Sequence, residues 1–478
     1  MATAPTSPIS TRTILLAIAA FSICSFAAAA RSKGFLESDG AMHYMMARHA
    51  IDEPAYFVDF WGRPLFTCLY AIPAKYFGLL GARVLSLVIA IGVGLVAMRL
   101  AAGQGMRWPV LALIFTLGQP MLFLHSFSEL TELPFALVIG LALLAYQSER
   151  FGVMAILCAL APLGRPEGFA FLFLAAIALV AHRHWLWLLV LPIFLIAWSI
   201  AGHFLSGPIE VPWWRWLIDH WPYESRSEYS SGSIFQFLAV LPAIVGPFVF
   251  PAMWIGIARR LHLPSRDTVS RSRWLTAVLP LGILILHSLI YRFGRLSSSG
   301  APRYLLITAP MWGVLCADGW EWIFTRFHWP RPLSWAALAV VLPGCVNFAY
   351  RVLPLQSNGS WIVANEIVDW TRTTPLRKDY PRLLANHPGI FYYLDVSPID
   401  TRFVQPWSRD AVEHPQPGMI LLWDPEYCLH NASAEYVVPL QTALDSGWID
   451  QPNLDAVFRL SSDPSNQWHI LLSPSATR

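Results

Sequence analysis

The chain has 478 residues, of which 55% are hydrophobic and only 13% charged, and its formal net charge is +3. A soluble domain carries about 25% charged residues; half of that leaves too little polar surface to coat a globule in water. The positive balance rests on arginines, lysine occurring only at Lys33, Lys75 and Lys378, and it forms no basic stripe or RNA-binding motif, so a nucleic-acid partner is not expected.

Several apolar runs match the roughly 17–25 residues that a helix needs to cross a bilayer. The first, Thr13 to Ala30, ends in four alanines before Arg31 and is read as an uncleaved span rather than a signal peptide. Arg12 before it places the N-terminus in the cytoplasm by the positive-inside rule. A first outer loop, 31–79, then carries Glu37, Asp39, Asp52, Glu53 and Asp59, and ends in an apolar stretch interrupted by Pro64 and Pro73, expected to lie on the membrane surface. Further spans are expected at 80–99, 108–124 and 131–147, with the short outer loop HSFSELTE between the last two. From Phe151 to His182 about 30 residues are apolar except for Gly-Arg-Pro-Glu-Gly at 164–168. A straight helix of that length would reach about 45 Å, half again the hydrocarbon thickness, so the run is predicted to fold as two half-length helices with Arg165 and Glu167 at their shared tip.

Spans at 185–204, one ending at the arginine-rich loop 259–273, 275–292, 303–320 and 333–350 follow, about eleven membrane segments in all. The outer loop 205–235 holds Trp213, Trp214, Trp216 and Trp221, suited to the membrane interface. After Tyr350 the composition turns polar. Strand-length runs (RLLAN, MILLWD, AVFRL, WHILLS) alternate with helix-like patterns such as NEIVDWTRT, which predicts a soluble α/β domain over 351–478 on the outer side. The fold class expected is therefore a polytopic α-helical membrane protein with a C-terminal soluble α/β domain. Six scattered cysteines form no metal or disulfide pattern, and no glycine-rich phosphate loop is present.

In the first outer loop Asp39 and His43 are four residues apart, as are Tyr44 and Arg48, so each pair shares a face of any helix formed there. A carboxylate just outside a span is placed to take a proton from a hydroxyl nucleophile, although Asp39 is equally of a type that caps a helix. Glu129 and Glu132 open the fourth span, where acids also satisfy the helix dipole. Arg165 and Glu167 either pair with each other or reach into a cavity. Arg292, Arg295 and Arg303 flank FGRLSSSGAPRY, and clustered guanidinium groups fit a phosphate leaving group, while interfacial snorkelling is the alternative for Arg303.

The order Asp-x-x-x-His-Tyr, Trp-Gly-Arg-Pro-Leu, a Phe-Gly before Ala-Arg-x-x-Ser, then SELTELPFALVIGLALLAY, LAPLGRPEGFAFL and APRYLLITAP resembles the GT-C superfamily of membrane glycosyltransferases over most of residues 10–350. That superfamily includes the dolichyl-phosphate-mannose protein mannosyltransferases and the bacterial aminoarabinose transferases, which the chain is similar to. The resemblance implies that a sugar is transferred, with inversion, from a polyprenyl-phosphate donor to a hydroxyl or amine of a glycan, lipid or protein on the non-cytoplasmic side. It implies Asp39 as catalytic base, one acid of Glu129 and Glu132 beside the sugar pocket, and Arg303 with Tyr304 at the phosphate; the residues themselves add Arg63, Arg165, Glu167 and Arg295 as candidate substrate contacts and His43 as a hydrogen-bonding neighbour. Asp39 is followed by Gly40, so the paired acids that many members offer a divalent metal are missing; no cofactor is expected. A bacterial inner membrane is the expected location. The competing class, a transporter or flippase, calls for internal repeats and ionisable groups at the midplane; the sequence shows no such repeat and keeps most acids in outer loops.

Overall fold

The computed structural model describes residues 11–205, 212–221, 231–261, 267–330, positions scattered over 332–339, 352–357, 359–400, 404–405, 407–429, 436–455 and 467–474. The predicted eleventh span, 333–350, lies almost wholly outside them, as does much of the loop 205–235.

Among the described residues, helix α1 (Thr11–Arg31) is one of four helices long and apolar enough to cross a membrane, the others being Pro64–Gly103, Trp185–Leu205 (whose first turns are 3₁₀) and Thr268–Arg292. Helix α2 (Ser38–His49) sits in the first loop, and α3 (Pro64–Gly103) follows it. The expected division of α3 into a leading piece and a span is present, but the break falls at Gly78 (φ 62°, ψ −155°) rather than at Pro64 or Pro73. Only glycine adopts that combination without steric cost. Pro64 occupies the first turn, where its missing N–H is harmless.

The segment predicted as one span at 108–124 is two helices, α4 (Val110–Leu117) and α5 (Pro120–His125). Pro120 cannot donate to the ladder and forces Gln119 into an extended conformation (φ −65°, ψ 124°), so the helix stops at Gly118. Helix α6 (Glu132–Gln147) matches its prediction. The hairpin does too: α7 (Phe151–Gly164) and α8 (Gly168–Ala181) meet at the Arg165–Glu167 turn. Each has 14 residues, about 21 Å by helix rise and short of the roughly 30 Å hydrocarbon core.

Helix α9 (Ile193–Leu205) and the short α10 (Trp216–Asp219) pack through Trp216, which lies against Trp198. The predicted eighth span is corrected to a bent pair, α11 (Gln236–Val245) and α12 (Phe250–Arg260), crossing at 108°. Gly246 takes φ 102°, ψ 129°, a conformation costly for any other residue, and Pro247 follows it. Helix α13 (Thr268–Arg292) is long and apolar enough to span, and a 3₁₀ turn (Pro302–Thr308) leads into α14 (Ala309–Arg326). A continuous apolar core joins α3, α4, α6, α7, α8, α11, α12, α13 and α14.

The carboxy-terminal region carries a mixed five-stranded sheet in the order β2-β1-β3-β5-β4: β1 (Arg382–Ala385), β2 (Val404–Gln405), β3 (Met419–Trp423), β4 (Ile449–Asp450) and β5 (His469–Leu472). β1 pairs parallel with β2 and β3; β5 runs antiparallel to β3 and β4. The runs RLLAN, MILLWD and WHILLS form β1, β3 and β5, and NEIVDWTRT lies in the helix Gly359–Thr373; AVFRL lies outside the described residues. Every residue of β3 is buried, as a central strand covered on both faces requires.

This region docks on the first loop. Arg48 binds Asp395 bidentately at 2.6 and 2.7 Å. The Tyr56 hydroxyl meets Ser397 Oγ at 2.9 Å, Ser397 Oγ donates to Glu53 at 2.7 Å, and Tyr427 shares a hydrogen bond with Ser38.

Candidate active site

Arg83 holds the loop that presents the acids. Buried in α3, it donates to the carbonyls of Ala29 (3.1 Å), Ser32 (2.6 Å) and Gly34 (2.7 Å), and its Nε reaches Glu129 Oε1 at 2.9 Å. Four donations from one rigid guanidinium fix the exit of α1 against the start of the α3 span. Glu129 is therefore occupied as the partner of Arg83 and does not line the large cavity nearby, contrary to one of the expectations for this pair of glutamates.

From this fixed exit the chain turns into α2. Glu37 is its N-cap residue, without a side-chain cap bond, and Asp39 stands in the first turn. The Asp39 carboxylate pairs with Arg303 instead of capping the backbone. One turn later His43 faces the same way, stacked on Trp61 at 4.8 Å. Arg48, five residues further on, is directed to Asp395 instead.

Glu37, Asp39 and His43 open on a cavity of ≈ 680 Å³ shared with Arg63, Glu132, the Arg165–Glu167 tip, Arg303 and Tyr304. Eight of the ten residues singled out in the sequence thus surround one space. Glu129 and the exposed Arg295 are outside it. Four ionisable groups among its described lining were not singled out: Glu37, His287 on α13, and Glu426 with Tyr427 from the carboxy-terminal region. His287 carried a legible signal, being an ionisable residue inside an otherwise apolar span. Glu426 and Tyr427 carried none, because tertiary docking alone brings them here.

The charges form one chain. Arg303 Nη1 contacts Glu37 at 3.1 Å, its Nη2 contacts Asp39, and its Nε lies 3.6 Å from Glu132 Oε1. The same Glu132 oxygen accepts from Arg165 Nη1 at 2.7 Å, and Arg165 also donates to Thr131 (3.1 Å) and Glu167 (3.1 Å). His287 Nε2 is 3.2 Å from Glu167 Oε1, and its ring stacks on Tyr304 with centroids 5.1 Å apart. The Tyr304 ring in turn faces the Arg165 and Arg303 guanidinium groups at 5.6 and 5.8 Å. The pairing of Arg165 with Glu167 and their exposure to the cavity, posed as alternatives by the sequence, occur together.

The two acids of α2 differ in their proton affinity. Burial in the cavity wall raises Glu37 to about 7 against the pull of Arg303, although 40% of its side chain still faces the open space. Burial also works to raise Asp39, but the charge and hydrogen bond of Arg303 prevail and hold it below the usual carboxylate range. His43 is driven down to about 3 by burial, so it is neutral at pH 7. Among the described residues no group of three or more His, Cys, Asp and Glu side chains is arranged to hold a metal ion.

No protein-family model matches the chain, and no curated protein sequence does. Its fold, by contrast, matches solved structures along nearly the whole length. ArnT from Cupriavidus metallidurans bound to undecaprenyl phosphate superposes with a TM-score of 0.62 at 15% identity, covering 98% of this chain and all of that one. The apo form of the same protein gives 0.61 at 14% identity with the same coverage. The chain therefore shares the fold of these structures, a polytopic α-helical bundle carrying a small mixed sheet in its carboxy-terminal region, which is the fold class its sequence led one to expect.

Proposed function

We propose that this protein transfers a sugar from a polyprenyl-phosphate donor to a hydroxyl or amine of an acceptor, at the cavity between α2 and the α7–α8 tip, on the non-cytoplasmic side of the membrane. The observation that carries the reading is the clamp of Arg303 on Asp39 and Glu37, beside Arg63 and Arg165, in a cavity at one end of a membrane bundle. A donor phosphate needs guanidinium groups that can pair bidentately with its oxygens, and an acceptor needs a carboxylate within reach of its proton. Here one arginine, Arg303, links the two, because it can meet the phosphate and it already holds the Asp39 carboxylate.

Arg303 couples the two requirements. With the donor absent, its charge holds Asp39 in a weakly basic state. When the donor phosphate takes that guanidinium, Asp39 loses its counter-charge while staying confined among Glu37 and Glu132, and its proton affinity rises. The acceptor oxygen then attacks the anomeric carbon, its proton passes to Asp39, and the bond from that carbon to the phosphate oxygen breaks, with inversion. The polyprenyl phosphate departs with the electron pair, its charge balanced by Arg303 and Arg63. The bond energy resides in the donor, so this account calls for no nucleotide. The fold shared with ArnT, which has been solved with undecaprenyl phosphate, supports the choice of lipid class.

The test is a titration of the detergent-purified protein with undecaprenyl phosphate, followed by thermal stability and by transfer from a radiolabelled lipid-linked pentose or hexose. Saturable stabilisation by the lipid, lost in Arg303→Ala, is expected. A protein that ignores the lipid, or Arg303→Ala responding as wild type does, would remove the basis of the proposal.

A further inference from the structure

A second cavity, of ≈ 360 Å³, lies between α6, the α7–α8 hairpin and α13, away from the charged site. Sixteen residues of α13 separate Arg271 at this cavity from His287 at the first, which is about 24 Å by helix rise. The two cavities therefore lie toward opposite ends of α13, a helix long and apolar enough to cross a membrane. Leu143, Met154, Ala178 and Leu279 make the walls apolar, and the Tyr146 hydroxyl, His182 and Arg271 bring polar groups to the lining, with the Trp274 indole beside them.

The Arg271 end has the character of a membrane interface. Trp185 and Trp187 follow α8 immediately and are exposed, and Arg183 and Arg150 are exposed beside them. Arg259 and Arg260 at the same end are committed to Asp318, and Arg273 to the carbonyl of Gln104. Arg271 differs. Its Nη1 lies 3.1 Å from the His182 ring nitrogen, and among the described residues no carboxylate is within ion-pair reach of it. Glu149, in the turn before α7, accepts from Thr268 at 2.7 Å, and Asp267 accepts from the backbone N–H of Ser270 at 2.8 Å. An unneutralised guanidinium at the mouth of an apolar slot fits a phosphate joined to a hydrocarbon chain.

We infer that this slot holds one anionic glycerophospholipid from the leaflet opposite the sugar cavity, an acyl chain between α6, α8 and α13 and the headgroup phosphate on Arg271. The lipid braces the hairpin whose tip carries Arg165 and Glu167.

Native mass spectrometry of the full-length protein, equilibrated with equal amounts of phosphatidylglycerol and phosphatidylcholine in mixed micelles, tests this. Wild type should retain phosphatidylglycerol at least five-fold over phosphatidylcholine. Arg271→Ala should bring the ratio near one, Arg271→Lys should keep most of the preference, and Ala178→Trp, which fills the slot, should release both lipids. A ratio near one in wild type, or a preference that survives Arg271→Ala, would overturn the inference. So would undecaprenyl phosphate displacing phosphatidylglycerol mole for mole in an Arg271-dependent way, since the slot would then belong to the donor lipid.

Discussion

On the wall formed by α6 and the hairpin tip, Arg165, Glu132 and Glu167 are 7%, 1% and 9% exposed and each is held by at least one opposite charge. On the facing wall, Glu37 and Asp39 keep 40% and 45% of their side-chain surface open and share a single arginine. The first wall cannot exchange partners without leaving a buried charge bare, whereas the second can release Arg303 to an incoming anion at small cost. Such a division puts rigidity where a sugar must be oriented and adjustability where a proton must move.

The largest effect expected from this contrast is on the adjustable wall. Asp39→Asn should lower kcat/KM roughly 10²- to 10⁴-fold, the span that general-base removal usually gives. Its thermal midpoint should stay near wild type, because Arg303 keeps Glu37 and Glu132. Steady-state transfer and a melting curve on the same preparation decide it; an active Asn variant would move the base elsewhere. Next comes the rigid wall. Arg165→Ala leaves Glu132 and Glu167 confined without their main counter-charge, and a loss of about 3–5 kcal/mol is expected, read from denaturation of the detergent-solubilised protein. If both variants proved stable and inactive, the two walls would be doing the same job and the contrast would fail.

A subtler effect sharpens the difference between the two adjustable acids. Glu37, raised to about 7 from an ordinary 4.5, keeps its proton in the folded protein over a range where the unfolded chain has lost it. Folding then binds protons between those values, so stability contributed by the protonated group is present below 4.5 and is lost as pH rises toward 7. Asp39, held low, runs the other way: its contribution is present above the ordinary aspartate range and fades as acid protonates it. Melting curves from pH 4 to 8 should show the first trend, and Glu37→Gln should flatten it. A Gln variant with an unchanged profile would assign the titration to another group.

The sequence shows the rigid wall better than the adjustable one. Gly164, Arg165, Pro166, Glu167 and Gly168 interrupt a run too long to be one span, so the hairpin and its charged tip follow from helix length alone. Asp39 stands out by its position after α1 and by resemblance, but its partner Arg303 is 264 residues away and only the packed bundle joins them. Glu37 was one acid among five in its loop; what sets it apart is desolvation by elements distant in sequence. Gly246-Pro247 and Pro120 were visible as helix-breaking residues, yet composition across both segments still read as continuous spans. Residue type and depth do not separate Glu129 from Glu132; Arg83 on α3 does, by taking Glu129 as its partner and leaving Glu132 to line the cavity.

The smallest effect expected lies where the carboxy-terminal region meets the first loop. Arg48 and Asp395 form a bidentate pair, but Asp395 is more than half exposed, and the side chains around it remain wet. An exposed pair contributes roughly 0–1 kcal/mol, and salt screens it further. Asp395→Ala should therefore change the melting midpoint by little, and by less still in 0.5 M salt. The buried Tyr56–Ser397–Glu53 contact would continue to hold the region in place. A large, salt-sensitive loss of transfer without loss of stability would show instead that this pair sets the height of Glu426 and Tyr427 over the cavity, and would extend the adjustable wall into the carboxy-terminal region.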